Sequence, residues 1–249
     1  MFACAGFIVV LAGRWTTVGR DDWPLVLLAG VVGVPLVYLI QFEGLARTTV
    51  AHASLMVGAM PILLGLAAAV IARERLTLRH WILLLVSAAG ALLIASGPNE
   101  PGDSGRGPSV IGDALVLLSL LAAVAWVLTS KRLMARYNSG FVSALVQIVG
   151  TVMLIAWVVP TAGLPPFDLP LRVWLIVGAQ GLLATTTATL LWNWGIVRVP
   201  MSEAGVFVNL EPVVGALLGV IVLGEHLGWT GVLGGVLIVG AALAVTRSR

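Results

Sequence analysis

Eight apolar runs of about 18–25 residues, separated by short polar segments that hold most of the charge, decide what this chain can fold into. They cover about 24–46, 50–71, 80–97, 110–130, 140–160, 172–194, 200–222 and 228–246. An α-helix rises ~1.5 Å per residue, so roughly 20 such residues cross a hydrocarbon core ~30 Å thick. The chain is 59% hydrophobic and 10% charged, whereas a soluble domain has roughly 25% charged residues to make its surface. An all-α, multi-pass membrane bundle follows, with the lipid bilayer as its principal environment.

Residues 2–13 form a further apolar piece, too short to cross alone, and no basic stretch precedes it as in a signal peptide. Cys4 is the only cysteine, which excludes an internal disulfide and any cysteine metal cluster. The net charge of +3 comes with no basic run, so the sequence offers nucleic acid no docking surface.

The basic residues orient the bundle. If the runs alternate and the C-terminus lies inside, one face carries Arg14, Arg20, Arg73, Arg75, Arg79, Lys131, Arg132, Arg136, Arg198, Arg247 and Arg249. The other carries only Arg47, Arg106 and Arg172. An excess of Lys and Arg marks the cytoplasmic side, which places the C-terminus in the cytoplasm and the protein in the cell (inner) membrane.

The chain also repeats itself. Gly44-Leu45-Ala46-Arg47, Pro61 and Arg73-Glu74-Arg75-Leu76 recur as Gly195-Ile196-Val197-Arg198, Pro212 and Gly224-Glu225-His226-Leu227, offset by 151 residues. The same register pairs Trp23 with Trp174 and Gly30 with Gly181. Matched Trp, Arg, Pro and Glu are informative because they are scarce in apolar runs. Residues 1–97 read as one copy and 109–249 as the second. The Gly- and Pro-rich segment 98–108, on the outer side, reads as the linker. The offset contains an odd number of crossings, so the second copy is inverted, an architecture typical of secondary transporters. If the copies are equal, the first lacks one helix and part of another at its N-terminus. Eight full helices and one partial helix are therefore expected.

These features resemble the EamA domain of the drug/metabolite transporter superfamily. The second copy carries the resemblance best: Asn209-Leu210-Glu211-Pro212-Val213, then Leu223-Gly224-Glu225 and a Gly-rich closing helix. The resemblance covers nearly the whole chain. It implies a ten-helix fold of two inverted five-helix repeats and a cavity for a small-molecule substrate. It also implies closing helices that support a homodimer, no cofactor, and export of amino acids or related metabolites in bacterial members. Relative to that pattern, this chain lacks the first helix and much of the second.

Glu211 is the sharpest site candidate, because an ionisable residue in mid-membrane is costly and commonly functional. Two readings stay open: a titrating or cation-binding group in a wet cavity, or a hydrogen-bonded carboxyl that shapes a kink with Pro212. The first copy has Met60-Pro61 at this position. Val34, Tyr38 and Gln41 share a face by helical spacing, as do their counterparts Thr185, Thr189 and Trp192. These sets are expected to line a substrate cavity. Gln147, Trp126 and Ser130 are weaker candidates for the same wall. His52 and Glu43, near the outer interface, are candidates for a gate or proton site, although Glu43 and Arg47 also stand at the spacing of an i,i+4 ion pair. Glu74 and Glu225, which head the closing helix of each copy, are expected to stabilise helix starts or the short turn. Gly215-x-x-x-Gly219 and Gly231-x-x-x-Gly235 are expected to pack helices closely.

An intramembrane enzyme needs a nucleophile–base pair or a metal cluster at membrane depth. Only His52 of the three histidines lies within a run, and Ser54 falls on another face of its helix. The sequence therefore reads as a transporter and not an enzyme, with no metal site. A non-transporting remnant or partner subunit is the alternative that the short first copy raises.

Overall fold

The computed structural model describes residues 7, 8, 10, 16–48, 53, 56–95, 109–164, 168–218, 220, 221 and 228–247. The expected runs are helical: α1 (Arg20–Leu45), α2 (Met60–Val70), α3 (Leu78–Ala95), α4 (Val110–Met134), α5 (Ser139–Ala162), α6 (Leu171–Ile196), α7 (Met201–Leu218) and α8 (Trp229–Thr246). Six of them, α1 and α4 to α8, are long and apolar enough to cross a membrane. Many Leu, Ile and Val side chains are largely exposed, among them Leu175, Leu183, Ile221 and Val236. That surface suits lipid, and the chain is a multi-pass helical membrane bundle. The loop at 98–108, and with it Glu225, His226 and His52, lies outside the described residues.

Packing divides the chain into two compact units, and each draws on both halves of the sequence. One contains residues 1–39 and 125–198, the other residues 40–124 and 199–249. The division falls inside α1 and inside α4, so it does not follow the repeat.

In the first unit α1 lies on α5 through a glycine pair. A Cβ on Gly150 would stand 2.5 Å from the Gly30 carbonyl, and one on Gly30 would stand 2.9 Å from Val149 Cγ1. The N-terminal half of α5, Phe141 to Gln147, is buried throughout. Its start is fixed by Asn138, whose Oδ1 accepts from the Gly140 N–H at 2.9 Å.

In the second unit α3 and α8 meet at Gly90 and Gly234. A Cβ on either would come within 2.7 Å or 2.4 Å of the other's carbonyl oxygen. Leu84 of α3 is buried with Val206 of α7 and Ala241, Ala242 and Val245 of α8. Gly205 sets α7 against α2, 3.2 Å from the Pro61 carbonyl by the same measure. The close-packing glycines are thus only in part those expected from spacing. Gly215 and Gly235 have open space where a Cβ would project, because each sits on the outward face of its helix. Gly231 is buried, and Gly219 lies outside the described residues.

Candidate functional site

Both copies depart from regular helix at repeat-equivalent places. Within α1, residues Val32–Leu36 form a π-helical turn containing Pro35. Proline has no N–H, and its ring clashes with the carbonyl four residues back. Widening the turn moves that carbonyl away, and the Val37 N–H then reaches Val32, five residues earlier. Within α6 the widened stretch is Gln180–Thr187. An offset of 151 carries 32–36 onto 183–187, inside it. Here the hydroxyls of Thr185, Thr186 and Thr187 donate to the carbonyls of Gln180, Gly181 and Leu182, at 3.3, 3.0 and 2.9 Å.

The second interruption precedes the paired prolines. Pro61 and Pro212 cannot donate to the carbonyls of Val57 and Val208, which are themselves repeat partners. Helix geometry lapses at Gly58–Ala59 and again at Asn209. Asn209 divides α7 into Met201–Val208 and Leu210–Leu218. Its buried amide Nδ2 donates to Ser87 Oγ at 3.1 Å, and that hydroxyl donates to the Val206 carbonyl at 3.3 Å. Glu211 follows in the first turn of the second piece, with its side chain uncovered by protein.

The π turn changes one expectation about α1. Val34 is 3% exposed against Gly150, whereas Tyr38 is 38% exposed. The wider turn alters the helical phase, so regular i,i+4 spacing does not place the two in one environment. Thr185, Thr189 and Trp192 are each half-buried on α6. They adjoin a buried pair, Thr186 and Asn193, and Asn193 Nδ2 donates to Ser143 Oγ on α5 at 2.9 Å. Tyr38, Thr185, Thr189 and Trp192 belong to the first unit; Gln41, Glu43 and Glu211 belong to the second. Glu43 forms the expected ion pair with Arg47, which donates through Nε at 2.7 Å and through Nη2.

Trp126 and Ser130 stand one turn apart on α4, in the first unit. The indole Nε1 and the hydroxyl Oγ are both fully buried without a hydrogen-bond partner. A buried donor left unpaired costs about 1–3 kcal/mol. The indole lies against Gly33 in the π turn, where a Cβ would stand 2.2 Å from Cδ1 and 2.6 Å from Nε1.

Three polar anchors were not legible as such in the sequence. Asp22, buried at the start of α1, accepts from Arg136 Nη1 and, at 2.7 Å, from the Tyr137 hydroxyl. That hydroxyl itself accepts from the Gly19 N–H at 3.0 Å. Thr48 donates to Asp113 at 2.5 Å. Glu74 does stabilise a helix start, but the start is that of α7. Its carboxylate accepts from Met201 N, Ser202 N and Ser202 Oγ at 2.9, 3.2 and 3.0 Å. Partners 65 to 128 residues apart give no local signal.

The sequence matches the EamA-like transporter family over residues 1–96 and 110–247. It is 25% identical over 242 residues to an uncharacterized transporter of Archaeoglobus fulgidus, covering 97% of this chain and 83% of that one. It is 29% identical to the uncharacterized transporter YwfM of Bacillus subtilis, covering 96% and 80% of the two chains. A solved crystal structure shares the fold with a TM-score of 0.82 at 24% identity, over 99% of this chain and 84% of the other.

Proposed function

The chain belongs to the EamA-like transporter family, and from that premise we propose that it exports a small organic metabolite, an amino acid or a related compound, by alternating access across the cytoplasmic membrane. The observation that carries this reading is the paired interruption of helices. Each copy widens one helix into a π turn and breaks the next just before a proline. Membrane transporters commonly build substrate sites from discontinuous helices, whose freed backbone groups and adjacent side chains meet the solute. In the second copy the break is followed at once by Glu211. A carboxylate there would take up a proton or a cationic group of the solute during the cycle. In the first unit Tyr38, Thr185, Thr189 and Trp192 supply hydroxyl and aromatic groups for a solute, and in the second Gln41 supplies an amide. The excess of basic residues on one face supports a cytoplasmic C-terminus.

Reconstitution tests this reading. Proteoliposomes loaded with labelled amino acids are assayed with and without an imposed pH gradient, for the wild type and Glu211→Gln. Wild-type flux is expected to respond to the gradient, and the variant to lose that response while still exchanging substrate. Equal, gradient-independent flux in both proteins would sink proton coupling at Glu211. No flux above empty liposomes for any amino acid would sink the substrate class.

A further inference from the structure

We propose that Trp126 and Ser130 form a recognition point for an oxygen acceptor of the transported solute, a carboxylate or carbonyl, uncovered when the π turn of α1 moves off the indole. The inference rests on the transport reading and adds a specific subsite to it.

Both groups are donors in the C-terminal half of α4 with nothing to donate to: Trp126 Nε1 and Ser130 Oγ are buried and unpaired. An indole N–H can only donate. A helical serine usually turns its hydroxyl back to the carbonyl four residues earlier, which here belongs to Trp126. The Thr129 hydroxyl already donates to that carbonyl at 3.0 Å and to Ala125 at 2.8 Å. Ser130 is 1% exposed, so its hydroxyl cannot turn to water instead. Residues four apart share one face of α4, so the two donors project to the same side and suit two oxygens of one carboxylate or a single carbonyl.

The element that covers the indole is the one whose backbone hydrogen bonding has already been rearranged. Gly33 lies within Val32–Leu36, beside Pro35. No side chain would fit there, since a Cβ would overlap the Trp126 ring at 2.2 Å. Single π turns inside α-helices are often found at functional sites. A π turn held by a proline can shift its hydrogen bonds by one residue without breaking the helix. That movement would uncover the indole N–H, and it opens the face that Ser130, one turn further along α4, shares with Trp126.

Labelling and kinetics test the subsite separately from the substrate class. Cys4 is the only cysteine, so Cys4→Ala gives a background free of thiols. In it, Ser130→Cys is treated with 2-sulfonatoethyl methanethiosulfonate in membrane vesicles of both orientations. Leu121→Cys, on an exposed face of the same helix, is the lipid-side control. Ser130→Cys is expected to react from one side at least about tenfold faster than the control. Equal or slower labelling from both sides overturns the proposal, whether or not a substrate has been found. Ser130→Ala removes an unpaired donor, so the melting temperature should hold or rise; Trp126→Phe also gives up packing on Gly33 and is read by KM alone. For whichever amino acid the vesicles carry, KM should rise about tenfold with kcat little changed. A lowered melting temperature with unchanged KM would mean a purely structural role and would also overturn it.

Discussion

Replacing Glu74 by alanine removes the whole N-terminal cap of α7. Pro200 precedes the helix and provides no side-chain cap, while its carbonyl is taken by Ala204 N at 3.1 Å. The Met201 and Ser202 N–H groups therefore depend on the Glu74 carboxylate, with 0% and 3% exposure at those residues. Water cannot easily replace the lost acceptor. Deleting an ordinary N-cap costs about 1 kcal/mol, and a hydrogen bond to a charged group is worth about 1.5–3 kcal/mol. The contacts share one side chain and are not additive, so Glu74→Ala should lose about 3 kcal/mol and Glu74→Gln about 2 kcal/mol. Glutamine keeps one acceptor oxygen but turns an NH2 group toward the second donor. Thermal unfolding in detergent, followed by intrinsic tryptophan fluorescence, should rank wild type above Glu74→Gln above Glu74→Ala. A double-mutant cycle with Ser202→Ala isolates the contact at 3.0 Å, and its coupling should be about 1 kcal/mol. An unchanged melting temperature in Glu74→Ala, or additive losses in the cycle, would refute the clasp.

Gly90→Val should lower the melting temperature strongly, by about 3 kcal/mol of stability, since its Cβ would stand 2.7 Å from the Gly234 carbonyl. Gly235→Val on the same partner helix α8 should change it little, because nothing lies within 4 Å of that Cβ position. Similar losses from both variants would remove the distinction between the inward and outward glycines. At the α7 break, Ser87→Ala should cost more than Asn209→Ala, by about 1 kcal/mol. The serine change orphans a buried amide, whereas the asparagine change leaves Ser87 donating to Val206. The same fluorescence melts decide the order, and the reverse order would place the network's anchor elsewhere.

The fold was legible because it rests on local signals. Apolar length sets a helix, and scarce residues at fixed offsets expose a duplication even at low overall similarity. Phase was less legible. Val34 and Tyr38 look like neighbours under a 3.6-residue period, but Pro35 widens the turn and separates their environments. Glycine spacing was a poor guide for the same kind of reason. Whether Gly234 or Gly235 packs depends on which face of α8 meets α3, and both satisfy a small-residue pattern. The Glu74 clasp shows a deeper limit. Arg73 takes a left-handed conformation (φ 54°) at the end of α2, where the second copy has Gly224. The Glu74 N–H closes back on the Ala68 carbonyl at 2.9 Å, six residues earlier. The chain thus turns so that Glu74 faces a helix start 127 residues away. A carboxylate near a helix end is readable in sequence, but which helix it caps is a tertiary fact.

The interruptions link the duplication to the chemistry. Nothing in the residue types requires that both copies widen at the same place. The first uses a proline, which lacks a donor. The second uses consecutive threonines, whose hydroxyls share the carbonyls five residues back. Pro35 and Thr186 occupy equivalent positions, and neither would predict the other. If the widening were only a by-product of proline, the second copy would have a regular helix there. Different side chains reaching the same backbone shape argue that the shape is the retained property. The broken helices behave in the opposite way. There the proline is common to both copies, while the residue before it changes from Met60 to Glu211. The two copies therefore keep the places where backbone groups are rearranged and differ in the side chains set around them.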